Sequence, residues 1–140
     1  MDEMPATVTA TAPDQWTIGV ERQAAGRSAT GVVVVRQEAR PDPAAPPHRA
    51  LAGARAWLAL GQLLLDADPG GAASCAQAGL DELGREYAPP GTKDDTGLKL
   101  LAARDLVDHG RAADGAAMML RLLGERLTLY VTLHRATVID

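Results

Sequence analysis

The 140-residue sequence contains no phenylalanine, two tryptophans, two tyrosines and a single cysteine. With so few rings, a core must be built from small aliphatic side chains, and 27 alanines and 18 leucines supply them. Such a composition favours helix. The lone Cys75 excludes an internal disulfide framework and a multi-cysteine zinc site. Lysine occurs only at Lys93 and Lys99, against 12 arginines, a bias that resembles coding from a GC-rich genome. No two Lys or Arg residues are adjacent and the net charge is −4, which excludes a general affinity for nucleic acid or for an anionic membrane surface. No apolar run approaches the roughly 18 residues that a spanning helix needs. The opening Met1-Asp-Glu-Met-Pro-Ala6 is acidic and without an apolar stretch, so it does not read as a signal peptide, and the expected compartment is the cytoplasm.

What is present divides the chain in two. Hydrophobic residues make up 46% and charged residues 23%, the balance of a globular chain and not of a disordered one. Residues 1–40 hold most of the β-formers, and residues 48–140 are rich in alanine and leucine at helical spacing. Between them, Pro41 to Pro47 carries four prolines in seven residues and reads as a semi-rigid linker. In the first part, Trp16, Ile18 and Val20 alternate with Thr17, Gly19 and Glu21, the period of a strand with one buried face. Residues 23–30 read as a loop and Gly31 to Glu38 as a second strand. The uninterrupted Val32-Val33-Val34-Val35 suggests cover on both faces. A two-stranded ribbon is marginal in water, so this N-terminal β-hairpin arm requires the helices, a third strand near Thr7–Thr11, or another chain.

Four helices are expected after the linker. The first spans about His48 to Asp66, closed by Asp68-Pro69-Gly70-Gly71, and the second about Gly71 to Tyr87, broken by Pro89-Pro90-Gly91. In the second, Ala72, Ala76, Leu80, Leu83 and Tyr87 share one face, and Ser74, Gln77, Asp81 and Arg85 the opposite one. The third starts at an Asp95 or Thr96 cap and ends near His109-Gly110; the fourth starts at an Asp114 cap and runs to about Arg135. Short connections make each consecutive pair an antiparallel hairpin, so the expected fold is mainly α: four antiparallel helices in two hairpins, preceded by a β-ribbon.

The hairpins are alike in sequence. Ala76, Leu80, Leu83 and Gly84 fall on Ala116, Leu120, Leu123 and Gly124 at an offset of 40, and Leu60 and Leu65 on Leu101 and Leu106 at 41. Trp57-x-x-Leu60-Gly61-x-x-Leu64, with Ala76-x-x-x-Leu80 and Pro89 behind it, resembles a tetratricopeptide repeat over residues 54–127, with leucine where that family has tyrosine. In the second copy Leu98 and Ala102 stand at the tryptophan and glycine positions. The resemblance implies a peptide-binding or scaffolding role and brings no catalytic residue with it.

Signals for chemistry are sparse. Phosphate-binding glycine loops and metalloprotease motifs are missing, and Gly26 to Gly31 does not have the spacing of a nucleophile elbow. His48, His109 and His134 are far apart in sequence; the last two suit helix C-termini, where a partial positive charge is favoured. Cys75, among alanines, reads as small buried packing. No cofactor and no metal are expected.

The segment from Tyr87 to Thr96 combines an aromatic, two prolines, Lys93, Asp94 and Asp95. It reads either as a helix boundary or as a binding loop on a rigid scaffold. Trp57 is expected to pack between the first two helices, mostly buried. The fourth helix has a narrow polar stripe, Arg121, Glu125, Thr128, Thr132 and Arg135, and is apolar over most of the remaining circumference. A helix of that kind is central or is covered by a second chain. Met118, Leu122, Leu129 and Leu133 are therefore interface candidates. These features point to a non-enzymatic protein–protein interaction module, a homodimer binding a protein or peptide. The alternative is a small-molecule binder or small enzyme with a pocket near Trp57, Tyr87, Tyr130 and residues 91–96.

Overall fold

The alternating apolar residues of the N-terminal part build strands, and the alanine- and leucine-rich part builds helices, in a computed structural model that describes residues 7–36, 48–84, 96–133 and 136–139. The strands are β1 (Thr7–Ala12), β2 (Gln15–Ala24), β3 (Arg27–Arg36) and β4 (Ala136–Ile139). The helices are α1 (His48–Leu64), α2 (Pro69–Leu83), α3 (Thr96–Asp108) and α4 (Ala112–Leu133). The fold is mainly α with antiparallel strands at the N-terminal side. The proline-rich residues 41–47 lie outside the described residues.

The four strands form one antiparallel sheet in the order β1-β2-β3-β4. Register sets Ile18 opposite Val33 and Trp16 opposite Val35, so the apolar positions of neighbouring strands share a face. Val33 and Val35 are buried, whereas Val32 and Val34 are only half-buried. The valine run is thus covered by helix on one face and not on both; its lack of alternation reflects the strand preference of a branched side chain. Residues 23–30 are not a loop either. The strands run through them to a two-residue turn, with φ of 53° at Ala25 and 76° at Gly26. Positive φ at both central residues matches the twist of a tight hairpin. β4 has no counterpart in the expected elements. Its four residues carry too little local signal, and they become a strand because β3 offers an open edge: Val33 pairs with Val138 and Val35 with Ala136.

α1 lies on β2 and β3 with one side and on α2 with another; α4 packs against α2, α3, α1 and β4. Two apolar clusters result. One joins Ile18, Val20, Val33 and Val35 of the sheet to Leu51, Leu83, Leu123, Leu127 and Tyr130. The other joins Leu60, Leu64, Cys75, Ala103, Met119 and Leu120 within the helices. Small residues let the backbones approach. A Cβ on Gly31 would overlap the carbonyl oxygen of Ala52 and lie 2.6 Å from the amide nitrogen of Ala56, so α1 rests directly on β3. A Cβ on Gly79 would lie 2.6 Å from a Leu123 methyl and 3.2 Å from the Cβ of Trp57, where α1, α2 and α4 meet.

Several helix ends differ from the sequence expectation. Asp68 closes the first helix as expected, its amide donating to the Leu64 carbonyl at 2.7 Å, and it has a second role. It caps α2, its Oδ1 accepting from the Gly71 amide at 3.0 Å, with Pro69 in the first turn. α2 stops at Leu83, where the Gly84 amide donates to the Leu80 carbonyl at 2.8 Å. The expected end of that helix near Tyr87 lies outside the described residues. α4 begins at Ala112, which puts Asp114 in its first turn and not at its cap; there the carboxylate accepts from Arg111 at 2.8 Å. Gly110, at φ 83°, closes α3 as its position suggests.

Close approach and helix propensity make opposite demands on two glycines. Gly31→Val should destabilise the protein by at least about 3 kcal/mol or prevent folding, because backbone atoms of α1 cannot yield to a side chain. At Gly124, within α4, a Cβ would meet nothing within 4 Å. Gly124→Ala should therefore stabilise by about 0.5–1 kcal/mol. Urea denaturation of both variants checks the pair.

Candidate functional site

Helical periodicity sets the polar face of α2. Ser74, Gln77 and Asp81 are three and four residues apart, so they project from one side. α2 and α3 both rest on α4, and between them they leave a cleft of about 370 Å³. Its floor is apolar, with buried Ala73 and Met119. Ser74, Gln77 and Asp81 form the α2 wall, and Arg104, Val107 and Asp108 the α3 wall.

The polar groups of this cleft are incompletely paired. Gln77 Nε2 donates to Asp81 Oδ1 at 2.9 Å, yet Gln77 Oε1 is buried and accepts no hydrogen bond. Asp81, Arg104 and Asp108 line the same cleft as exposed side chains. Ser74 Oγ is occupied locally, donating to the Gly70 carbonyl at 3.2 Å. Two carboxylates and one guanidinium give the walls a net negative charge. Elsewhere the interior is apolar: among the described residues no polar or charged side chain is buried as a whole. One polar link between layers is half-buried. Arg22 on β2 donates to Glu82 on α2 at 2.7 Å and 3.4 Å, a two-pronged pair set over Gly53 of α1.

A second groove, about 380 Å³, separates α1 from α4 and is lined by Arg55, Leu58, Gln62, Gly124, Leu127, Thr128 and Val131. Neither groove assembles a nucleophile with a base. Among the described residues no group of three or more His, Cys, Asp or Glu is placed to hold a metal ion, and no helix is long and apolar enough to cross a membrane.

The residues singled out from sequence are distributed differently. Trp57 packs at the α1–α2 contact against both apolar clusters and is largely but not completely buried, as its place in the sequence leads one to expect. It sits beside the fully buried Ala56 at the margin of α1's inner face, and a large ring there is covered only in part. Tyr130 is 2% exposed, with the Arg126 guanidinium 5.4 Å from its ring centre. Leu122 is buried in the same cluster as Tyr130, Leu129 is half-buried, and Met118 is 36% exposed. The structure therefore brings Leu122 and Tyr130 together with Trp57 against them, as scaffold around α4. Tyr87, Lys93, Asp94 and Asp95 lie outside the described residues, as does the side chain of Leu133. Sequence reasoning placed Gln77 and Asp81 on a polar helix face. It had no means of pairing them with Arg104 and Asp108, because no fixed spacing links two helices that meet only through a third.

Two titratable groups have shifted affinities for protons. Burial pushes the Cys75 thiol up, and the Asp68 carboxylate adds to it. At the end of α3, His109 Nδ1 lies 2.8 Å from the Asp105 carbonyl oxygen and 3.2 Å from its carboxylate. The backbone hydrogen bond raises the His109 pKa, and the charges of Asp105 and Asp108 raise it further.

Comparison with protein-family models, with curated proteins and with solved structures finds no match.

Two measurements check this chemistry. Cys75 should resist a thiol reagent such as iodoacetamide in the folded protein and react once urea unfolds it; rapid native labelling would contradict the buried, protonated thiol. Proton NMR should place the His109 pKa above the ordinary 6.5. Its raised folded-state value means that its contribution to stability is complete below about pH 6.5 and is lost as the pH rises through the folded-state pKa. In His109→Gln that dependence should vanish.

Proposed function

We propose that the protein is a non-enzymatic interaction module that binds a protein or peptide segment in an open cleft and self-associates as a homodimer. The observation that carries this reading is the open cleft between α2 and α3, where Ser74, Gln77, Asp81, Arg104 and Asp108 line the walls above buried Ala73 and Met119. Open grooves of this kind suit an extended chain, whereas a small substrate is usually enclosed. The reading includes two helical hairpins, α1 with α2 and α3 with α4, of the sort that tetratricopeptide repeats stack into peptide-binding scaffolds.

Self-association draws support from apolar side chains that the helices leave outside. Leu101 is 68% exposed, Leu63 55% and Met118 36%. The sheet face turned away from α1 also carries half-buried Val32 and Val34. Each lies on a different element, and a second chain covering one or more of them would remove apolar surface from water.

Multi-angle light scattering at micromolar concentration should give about twice the 14.6 kDa chain mass. Leu101→Lys, Leu63→Lys and Met118→Lys, made singly, should identify the face: the one on the interface shifts the mass to that of the monomer with the melting temperature of the dissociated chain. A monomer at all concentrations removes self-association from the reading.

A further inference from the structure

The two faces of the sheet are unlike. α1 packs on one, where Ile18, Val20, Val33 and Val35 are buried. The opposite face takes the alternate positions of each strand. At its centre Thr17 pairs with Val34 and Gly19 with Val32, and all four are only partly buried. The register continues these rows with Thr9 and Thr7 on β1 and with Thr137 and Ile139 on β4. Two rows therefore cross the whole sheet without a charged residue. A sheet face left to water is normally polar. Contiguous threonine and valine across four strands is instead a surface suited to cover. The exposed apolar residues of the helices differ, since Leu63, Leu101 and Met118 stand singly on three elements.

Size, relief and charge fit this face to itself. At about 3.3 Å per residue and about 4.8 Å between strands, the four strands cover about 480 Å². Two such faces bury about 1,000 Å² together, the lower bound for a specific interface. A Cβ on Gly19 would meet a Thr30 methyl at 3.8 Å and a Val32 methyl at 4.0 Å, so those side chains border a shallow dip. Along this face β2 and β3 carry one acid, Glu21, opposite Thr30, and one base, Arg36, opposite Gln15. The face is neutral on a chain of net charge −4, so two copies repel each other least here. We propose that it is the homodimer interface, two sheets stacked about a two-fold axis that lies between the two rows and perpendicular to the strands. That operation sets Thr17 over the partner's Gly19, filling the dip, and Val34 over the partner's Val32. It also carries Arg36 to the row of the partner's Glu21 and Thr30, and the symmetry makes that charge match twice. The inference rests on the self-association reading above and names its face.

Sedimentation equilibrium of the whole chain from about 1 to about 500 μM measures the dimer constant. Val34→Lys should raise the dissociation constant at least about tenfold, because dimerisation would bury an unpaired charge. The melting temperature of its dilute monomer should stay within a few degrees of wild type, since a lysine on this face reaches water. Glu21→Arg and Arg36→Glu should each weaken the dimer about threefold or more, and their combination should restore wild-type affinity. Within one chain the two residues stand about 20 Å apart along the strands, beyond the reach of screened charges, so rescue reports contact between copies. Arg36 is exposed and Glu21 half-buried, which keeps the test open should Val34→Lys fail to fold. A Val34→Lys chain that dimerises like the wild type would overturn the sheet interface; if one of the helix substitutions dissociates the protein instead, the homodimer stands without this face. Weakening by both charge reversals with no rescue would overturn the two-fold arrangement. A wild-type chain that stays monomeric throughout overturns this inference and self-association together, and leaves the face to a different protein.

Discussion

The contact of α1 with the sheet at Gly31 is the constraint on which the remaining structure depends. A helix normally rests on a sheet through side chains, about 10 Å away. Here the backbone of α1, through Ala52 and Ala56, reaches β3 where there is no side chain at all. That proximity suits a core built without phenylalanine. It also fixes where α1 sits relative to β2 and β3, and α2 follows from α1. The Arg22–Glu82 pair fastens the far end of α2 to β2, over the equally bare Gly53. A charge pair this sheltered contributes more to orientation than to net stability, since desolvation offsets much of its attraction.

With α1 and α2 set, α4 becomes the central helix. Its wide apolar circumference is used within one chain: Leu123 and Leu127 face the sheet cluster, Met119 and Leu120 the helical one. α3 is the outermost helix, and its strongest contact is with α4. Gly115 permits that contact, since a Cβ there would lie 2.5 Å from the carbonyl oxygen of Ala103. The α2–α3 cleft is the consequence. Two helices lean on a common third without packing on each other, and the space between them is wide enough for polar side chains to meet.

The distribution of polarity then separates scaffold from site. Cys75 and Tyr130 are chemically capable side chains enclosed in apolar clusters, one with its thiol held protonated and the other sheltered beside Arg126. The groups able to engage a partner are ordinary exposed or half-exposed residues, Gln77, Asp81, Arg104 and Asp108. They line one cleft, and among the described residues Gln77 Oε1 is a buried side-chain atom without a hydrogen-bond partner.

The sequence by itself determined the class of each long element. Periodicity of two placed Trp16, Ile18 and Val20 on one face, and helical spacing placed Ala72, Ala76, Leu80 and Leu83 on another; both patterns follow from local geometry that burial enforces residue by residue. It also determined the aliphatic character of the core. Tertiary structure decided what depends on partners distant in the chain. β4 is a strand because β3 has an edge to offer. Asp68 caps α2 with its side chain as well as closing α1 with its amide, because the next helix needs an acceptor for its first amides. Trp57 touches both apolar clusters because it lies where they join. The cleft was illegible for the same reason. Gln77 and Arg104 belong to different helices, and only the surface of α4 holds those helices at a distance that leaves their polar groups facing one another across open space.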